Sequence, residues 1–391
     1  MKTTTLLLVG ACWALPVNAA VHHSFDLGWR AGQDVTEAFA ELLETGKLKA
    51  GDELRLDHVY RISGSYELPD NFTLSARKDA GFEVTDAVGD VNNKAFLTLG
   101  NANTLRNVTI TYLNTPPLGP TGEEPGKTFT RKLGIAASGK NDLVFENCRL
   151  VGSIGHHVRL DDKCARPKFI GCHIAGGHWS FFISVEDAVF RHCVFEKCQG
   201  DGIKTQWAKR VLVEDCVFQD NLRDGIDTTG GFDDSVVRNT IFRRNRVSGM
   251  DLKAHYGSKA DLDSPVNVGI RVEKCRFVDS RNGLVFTTLD RGDKDSKERL
   301  LNADNAKEYA PHDIDIIDCV FGRTDAAGEE LTVAHPSPAG EKMRMIYVKG
   351  AHSIRYRNSR FFGEGIAVVR YQNLGGTRHL SKEVGELLNF D

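Results

Sequence analysis

The chain has 391 residues, 41% of them apolar, and a net charge of −3, so it can bury a large core. Acids and bases that nearly cancel argue against general nucleic-acid binding, and no apolar run is long enough to cross a membrane. Nine cysteines would suit a disulfide framework, but six of them recur in one phrase, which gives them another use.

In chain order, MKTTTLLLVGACWALPVNA (1–19) has an early Lys, an apolar stretch, and Val17 and Ala19 as small residues before a cut. It reads as a signal peptide, which predicts a secreted or periplasmic protein with residues 20–391 as one domain. The rival is a lipoprotein box, LVGAC, ending at Cys12. Residues 34–51 predict a short amphipathic helix capped by Asp34 or Thr36 and stopped at Gly51. The alternating segment after it predicts short strands, with the helix shielding the first open edge. A second cap is expected at 381–390.

The phrases ENCRL, IGCHI, RHCVF, EDCVF, EKCRF and IDCVF centre on Cys148, Cys172, Cys193, Cys216, Cys275 and Cys319, and RNTIF and RNSRF put Thr240 and Ser359 in the same slot. From Cys148 to Thr240 the spacings are 24, 21, 23 and 24, followed by 35, 44 and 40 where long loops are inserted. Alternating apolar residues broken by Gly, Asn and Asp at this period predict an all-β, single-domain parallel β-helix, one coil per repeat. The cysteines become a stack of small inward thiols, mostly reduced. Cys164 and Cys198 lie off the ladder and either pair or are simply buried.

GDGIKTQ (200–206), RDGIDTT (223–229) and VSGMDLK (247–253) are one phrase in three consecutive coils. Counted from their anchors, Asp201 aligns with Asp224 and Ser248, and Lys204 with Asp227 and Asp251. Gln206 aligns with Thr229 and Lys253. Arg159 and His156 extend the same wall in a neighbouring coil, and the next coil adds Trp179. Asp201, Asp224, Asp227 and Asp251 therefore converge, and carboxylates this close need a cation or shared protons. Oxygen ligands alone favour Ca2+. A Lys near a cation and another base can have its pKa lowered, which makes Lys253 or Lys204 a candidate proton acceptor, with Asp251 a further catalytic candidate. Arg159 and Arg223 suit carboxylates or sulfates, and Trp179, Trp207 and Tyr256 offer flat faces to sugar rings. Each has a structural alternative: Asp before Gly is a turn residue, an exposed Lys is ordinarily solvated, and His156 or His157 suits a core. The inserted run 290–313 is a solvated loop or the wall of a groove.

These motifs resemble secreted right-handed β-helix polysaccharide enzymes of the pectin-lyase-like superfamily over residues 30–375. More narrowly they resemble the calcium-dependent family nine polysaccharide lyases, in which Asp201, Asp224 and Asp227 match metal-ligand positions. The family's Lys position is held here by Asp251, with Lys253 two residues later. The resemblance implies a monomer that cleaves an acidic, uronate-containing polysaccharide by β-elimination with Ca2+ and a Lys base. The competing expectations are hydrolysis by Asp227 and Asp251, C5-epimerisation of a uronate, and a non-catalytic carbohydrate-binding solenoid.

Overall fold

The computed structural model describes residues 19–85, 95–113, 133–152, 154–228, 231–256, 267–290, 311–322 and 343–349, then 351, 353–362, 365, 366, 368–373 and 376–381. The leader with Cys12, most of the three long insertions and the expected second cap lie outside the described residues. Short strands wind into three long sheets of 12, 11 and 11 strands. Pairing within each of them is parallel. Val144 faces Lys168, which faces Val189, then Leu212 and Val236, giving steps of 24, 21, 23 and 24. The next steps, to Arg271, Asp315 and Arg355, are 35, 44 and 40. The coil lengths are thus the anchor spacings of the sequence, and the protein is an all-β parallel β-helix.

Each anchor sits one residue after a left-handed corner. Asn147, Gly171, His192, Asp215, Asn239, Lys274, Asp318 and Asn358 all have φ between 50° and 64°, which Gly, Asn and Asp adopt with least strain. The eight described cysteines, Cys164 and Cys198 included, are free and buried. Their thiols donate to backbone carbonyls, as Cys193 does to Phe169 O at 3.3 Å. The Phe two residues after the anchor builds a continuous aromatic column in the core: Phe195, Phe218, Phe242, Phe277 and Phe321 stack at centroid distances of 4.8, 5.1, 4.8 and 4.9 Å. One strand spacing is the natural stacking distance of these rings.

Helix α1 spans Thr36–Glu44 and buries Phe39 and Leu42, with Phe39 against Tyr66 and Phe82 at 4.7 and 5.9 Å. It closes the first coil as expected but is shorter than the sequence pattern suggests. Val35 is its N-cap, and Asp34 instead accepts from the Thr36 N–H at 2.9 Å. The stop comes at Gly46 (φ 65°), five residues before Gly51, because the left-handed residue after Thr45 turns the chain out of the helix.

Candidate active site

One sheet carries the candidate residues. Its relevant strands are β1 (Leu133–Ser138), β2 (His156–Ala165), β3 (Phe181–Glu186), β4 (Ile203–Lys209), β5 (Asp224–Thr228), β6 (Ser248–Tyr256) and β7 (Asn282–Asp290). Ile203, Ile226 and Met250 form an inward column and Thr205, Thr228 and Leu252 the next. Between them Arg159, Phe182, Lys204, Asp227 and Asp251 are register partners from β2 to β6, so strand alternation puts them on one outer face. The Asp-Gly pairs that precede them are not left-handed turns. Gly225 is required because a Cβ there would lie 2.6 Å from Gly249 O and 2.8 Å from the Phe242 ring.

Asp201, Asp224 and Asp227 are buried, and one carboxylate oxygen from each lies within 4.8 Å of the others. Asp201 partly fulfils the structural reading, since its Oδ1 accepts from the Asp224 N–H at 3.1 Å. Its Oδ2, both oxygens of Asp224 and Oδ1 of Asp251 have no hydrogen-bond partner. Two lysines converge on Asp227: Lys204 Nζ at 2.6 Å and Lys253 Nζ at 3.0 Å, the latter also 2.9 Å from Asp251. Arg223 Nε lies 3.9 Å from Asp201. Thr228 fixes β6 beside the site, its hydroxyl donating to Asp251 O and accepting from the Lys253 N–H.

This geometry splits the carboxyls. Burial and the facing Asp227 push Asp201 up to about 6. Burial, then Asp201 and Asp251, push Asp224 well above the usual range. Burial raises Asp251 to about 6 against the pull of Lys253. Burial also pushes on Asp227, but Lys253 and Lys204 outweigh it and hold Asp227 at about 2. Lys253 departs from the sequence expectation. Burial pulls it down, yet Asp227, Asp251 and Asp224 hold it above its ordinary value, so with those carboxylates facing it Lys253 is an ammonium ion and not a poised base.

An aromatic wall adjoins the cluster. Trp179 stacks on His156 and Phe182 at 5.6 and 5.7 Å, with Lys204 Nζ 4.9 Å from its ring centroid and Arg159 over Phe182 at 5.4 Å. Burial lowers His156 to about 4, so its neutral ring donates from Nδ1 to Trp179 O at 2.9 Å. His157 is wholly buried and belongs to the core.

Residues 95–292 match the family model described as a right handed beta helix region. That is half of the chain, and it settles the family. The chain belongs to the right-handed β-helix family. No curated protein matches it. Among solved structures this β-helix is similar to the Dettilon tailspike protein, at 13% identity and TM-score 0.57 over 88% of this chain and 62% of that one; it therefore spans less than two thirds of the tailspike's length. It is also similar to PfbA, a surface adhesin of Streptococcus pneumoniae, at 12% identity and TM-score 0.54, covering 94% and 99% of the two chains. The catalytic domain of a GH87 α-1,3-glucanase, solved in complex with nigerose, matches at 11% and 0.51 over 90% of this chain and 66% of that one. Such identities establish the fold alone.

The structure brings together all four aspartates, both lysines, Arg223, Arg159, His156 and Trp179. Trp207 lies further along β4, beyond a bulge that separates it from Thr205 in the pairing with β3. The Tyr256 side chain lies outside the described residues. Sequence reasoning missed Lys163, Ser138 and Ser184, which meet Arg159 and Trp207 around a hollow of about 480 Å³. Leu160 and Cys164 are both inward and an even count apart, so alternation gives no sign of the bulge between them.

Proposed function

We propose that this protein is an exported enzyme that cleaves a uronate-containing polysaccharide by β-elimination on the outer face of β2–β6. The observation that carries the reading is the buried triad Asp201, Asp224 and Asp227 with two lysines converging on Asp227. Ligand oxygens within 4.8 Å of one another fit a cation whose oxygen ligands lie about 2.4 Å away, and the unpartnered oxygens of Asp224 supply what such an ion seeks. Asp201, Asp224 and Asp227 would hold Ca2+, whose chemistry is to neutralise the substrate carboxylate and stabilise charge developing beside it.

The chain's own residues do the rest. Arg159 and Arg223 bind acidic groups, with forks that match carboxylates. Trp179, Phe182 and His156 present the apolar wall against which rings lie. Lys253 is protonated while Asp227 faces it; once Asp227 is engaged elsewhere, burial acts on Lys253 with less opposition and lowers its pKa toward that of a base. Its amine takes the proton at C5, the electron pair forms the C4–C5 double bond, and the bond from C4 to the glycosidic oxygen breaks. That oxygen takes a proton from water.

The test is incubation with a panel of uronate polysaccharides, with Ca2+ and then with chelator, following the ultraviolet absorbance of the unsaturated product. Absorbance that chelator abolishes supports the reading. New reducing ends without absorbance refute it and favour hydrolysis. One observation supports that second reading: Asp227 at about 2 and Asp251 at about 6 are register partners with affinities for protons pushed apart, the arrangement of a base and an acid. The absence of both signals on every polymer refutes both readings and favours C5-epimerisation or carbohydrate binding without catalysis.

A further inference from the structure

Beside the cluster, on the side of the earlier coils, β2 and β4 both depart from the regular ladder. Leu160 faces Ile183 and Cys164 faces Val185, so β2 carries two residues more than β3 there. Ile183 faces Thr205 and Ser184 faces Trp207, so β4 carries one extra. Asp162 and Lys163 take up the excess at φ 53° and 58°, the one pair of consecutive non-glycine residues with positive φ among the described residues. Bulges that re-aim side chains gather near binding sites, and backbone of this kind persists only where its surroundings enforce it.

The two bulges have one result. They lift Lys163 over the Trp207 indole, with Nζ 4.6 Å from the ring centroid and Lys209 Nζ 5.4 Å from it. Between Trp207 and the end of β1 they open the hollow of about 480 Å³, within the size range of small-ligand sites. Its polar groups are placed and oriented: Arg159 donates to Asp161 at 2.6 Å, Ser138 to Asp162, and Ser184 accepts from the Lys163 N–H at 3.3 Å. The lining holds two cations and two carboxylates, so it places no demand on the ligand's net charge. Its cations, carboxylates and serine hydroxyls present both donors and acceptors, which matches hydroxyl groups. Arg159 belongs both to this hollow and to the outer column of Lys204 and Asp227, so the two sites are continuous.

We infer that this hollow, built by the β2 and β4 bulges around Trp207, Lys163 and Arg159, is a subsite for a neutral, hydroxyl-bearing pyranose of the polymer whose acidic residue lies at the aspartate cluster. The inference rests on the reading that the outer face takes a polysaccharide. It deepens that reading by giving the substrate class: an acidic polymer with neutral sugars interspersed. β2 to β4 lie one to three strand spacings from β5, roughly 5 to 14 Å. A glycan laid across the strands therefore fills the hollow and the cluster with different residues of one chain. A ring takes the indole face, and the flexible Lys163 amine moves off that face to donate to its oxygens.

Affinity electrophoresis through gels cast with acidic polysaccharides tests this without needing turnover. The gels contain polygalacturonate or alginate, which are uronate throughout, or hyaluronan or gellan, in which uronates alternate with or are separated by neutral sugars. The full chain should be retarded most by a mixed polymer. Trp207→Ala and Lys163→Ala should each weaken that affinity about tenfold, a loss typical of a truncated anchor residue, and Trp207→Phe should restore most of it. Circular dichroism separates lost binding from lost folding. No retardation on any gel, retardation that neither variant changes, or equal retardation by homopolymers and mixed polymers overturns the subsite. Retardation that depends on Trp207 without any turnover upholds the subsite and refutes elimination; turnover without that dependence does the reverse.

Discussion

Replacing Asp251 by Asn should stabilise the protein, and the gain should grow with pH. The Asp251 carboxyl rises from 3.8 in the unfolded chain to about 6 in the fold, burial being the chief cause. At about 1.4 kcal/mol per unit, a rise of that size amounts to about 3 kcal/mol. The sign follows from linkage: a carboxyl whose pKa is raised by folding contributes stability present below 3.8 and lost as the pH rises through about 6. Asn has nearly the shape of the protonated acid and nothing to ionise. The two proteins should therefore differ little at pH 4, and the variant should be ahead by about 3 kcal/mol at pH 7 in the presence of chelator. Buried His156 and His157 and part-buried His178, lowered by desolvation to about 4, 3 and 4, stabilise above pH 6.5 and lose that contribution as the pH falls. They are common to both proteins and cancel in the difference. Urea denaturation followed by circular dichroism from pH 4 to 7 reads it directly. A difference that stays constant with pH, or a wild type that gains on the variant toward neutrality, would refute the account of Asp251 as a desolvated carboxyl. If the same variant is also less active, stability and activity conflict at this residue, as expected of a functional site.

Lys253→Ala should lower the rate of elimination by a factor of about 100 or more, the usual contribution of a positioned proton acceptor, while leaving cation binding measurable by calorimetry. If Lys204→Ala abolishes turnover and Lys253→Ala does not, the base lies one strand earlier. Ca2+ at about 100 times its dissociation constant should raise unfolding stability by about 2.7 kcal/mol, and Asp224→Ala should remove the increase; a wild-type denaturation midpoint indifferent to Ca2+ would count against the triad as a metal site. Gly225→Ala should cost about 1–3 kcal/mol, read from the urea midpoint, because the added Cβ meets Gly249 O and the Phe218 and Phe242 side chains; a neutral effect would mean that β5 can move away from the aromatic stack.

The repeated phrase around Cys148, Cys172, Cys193 and Cys216 determined the coil and its length by itself. A parallel solenoid places equivalent residues one strand spacing apart, so sequence offset becomes spatial register without further information. For the same reason the alignment of Lys204, Asp227 and Asp251 on one outer column was legible, as was the inward placement of Ile203, Ile226 and Met250. The protonation of the site was not. Lys253 and Lys204 have similar sequence neighbourhoods, yet both reach Asp227, and only the distances decide that Lys253 is held as an ammonium ion while Asp227 is ionised and Asp251 resists ionisation. Nor was the hollow at Trp207 legible: the two residues added at Asp162 and Lys163 leave the inward alternation of Leu160 and Cys164 intact, so the pattern conceals them. Spacing fixes what regular backbone repeats; charge balance and bulges depend on desolvation and local geometry, which exist only once the coils have stacked.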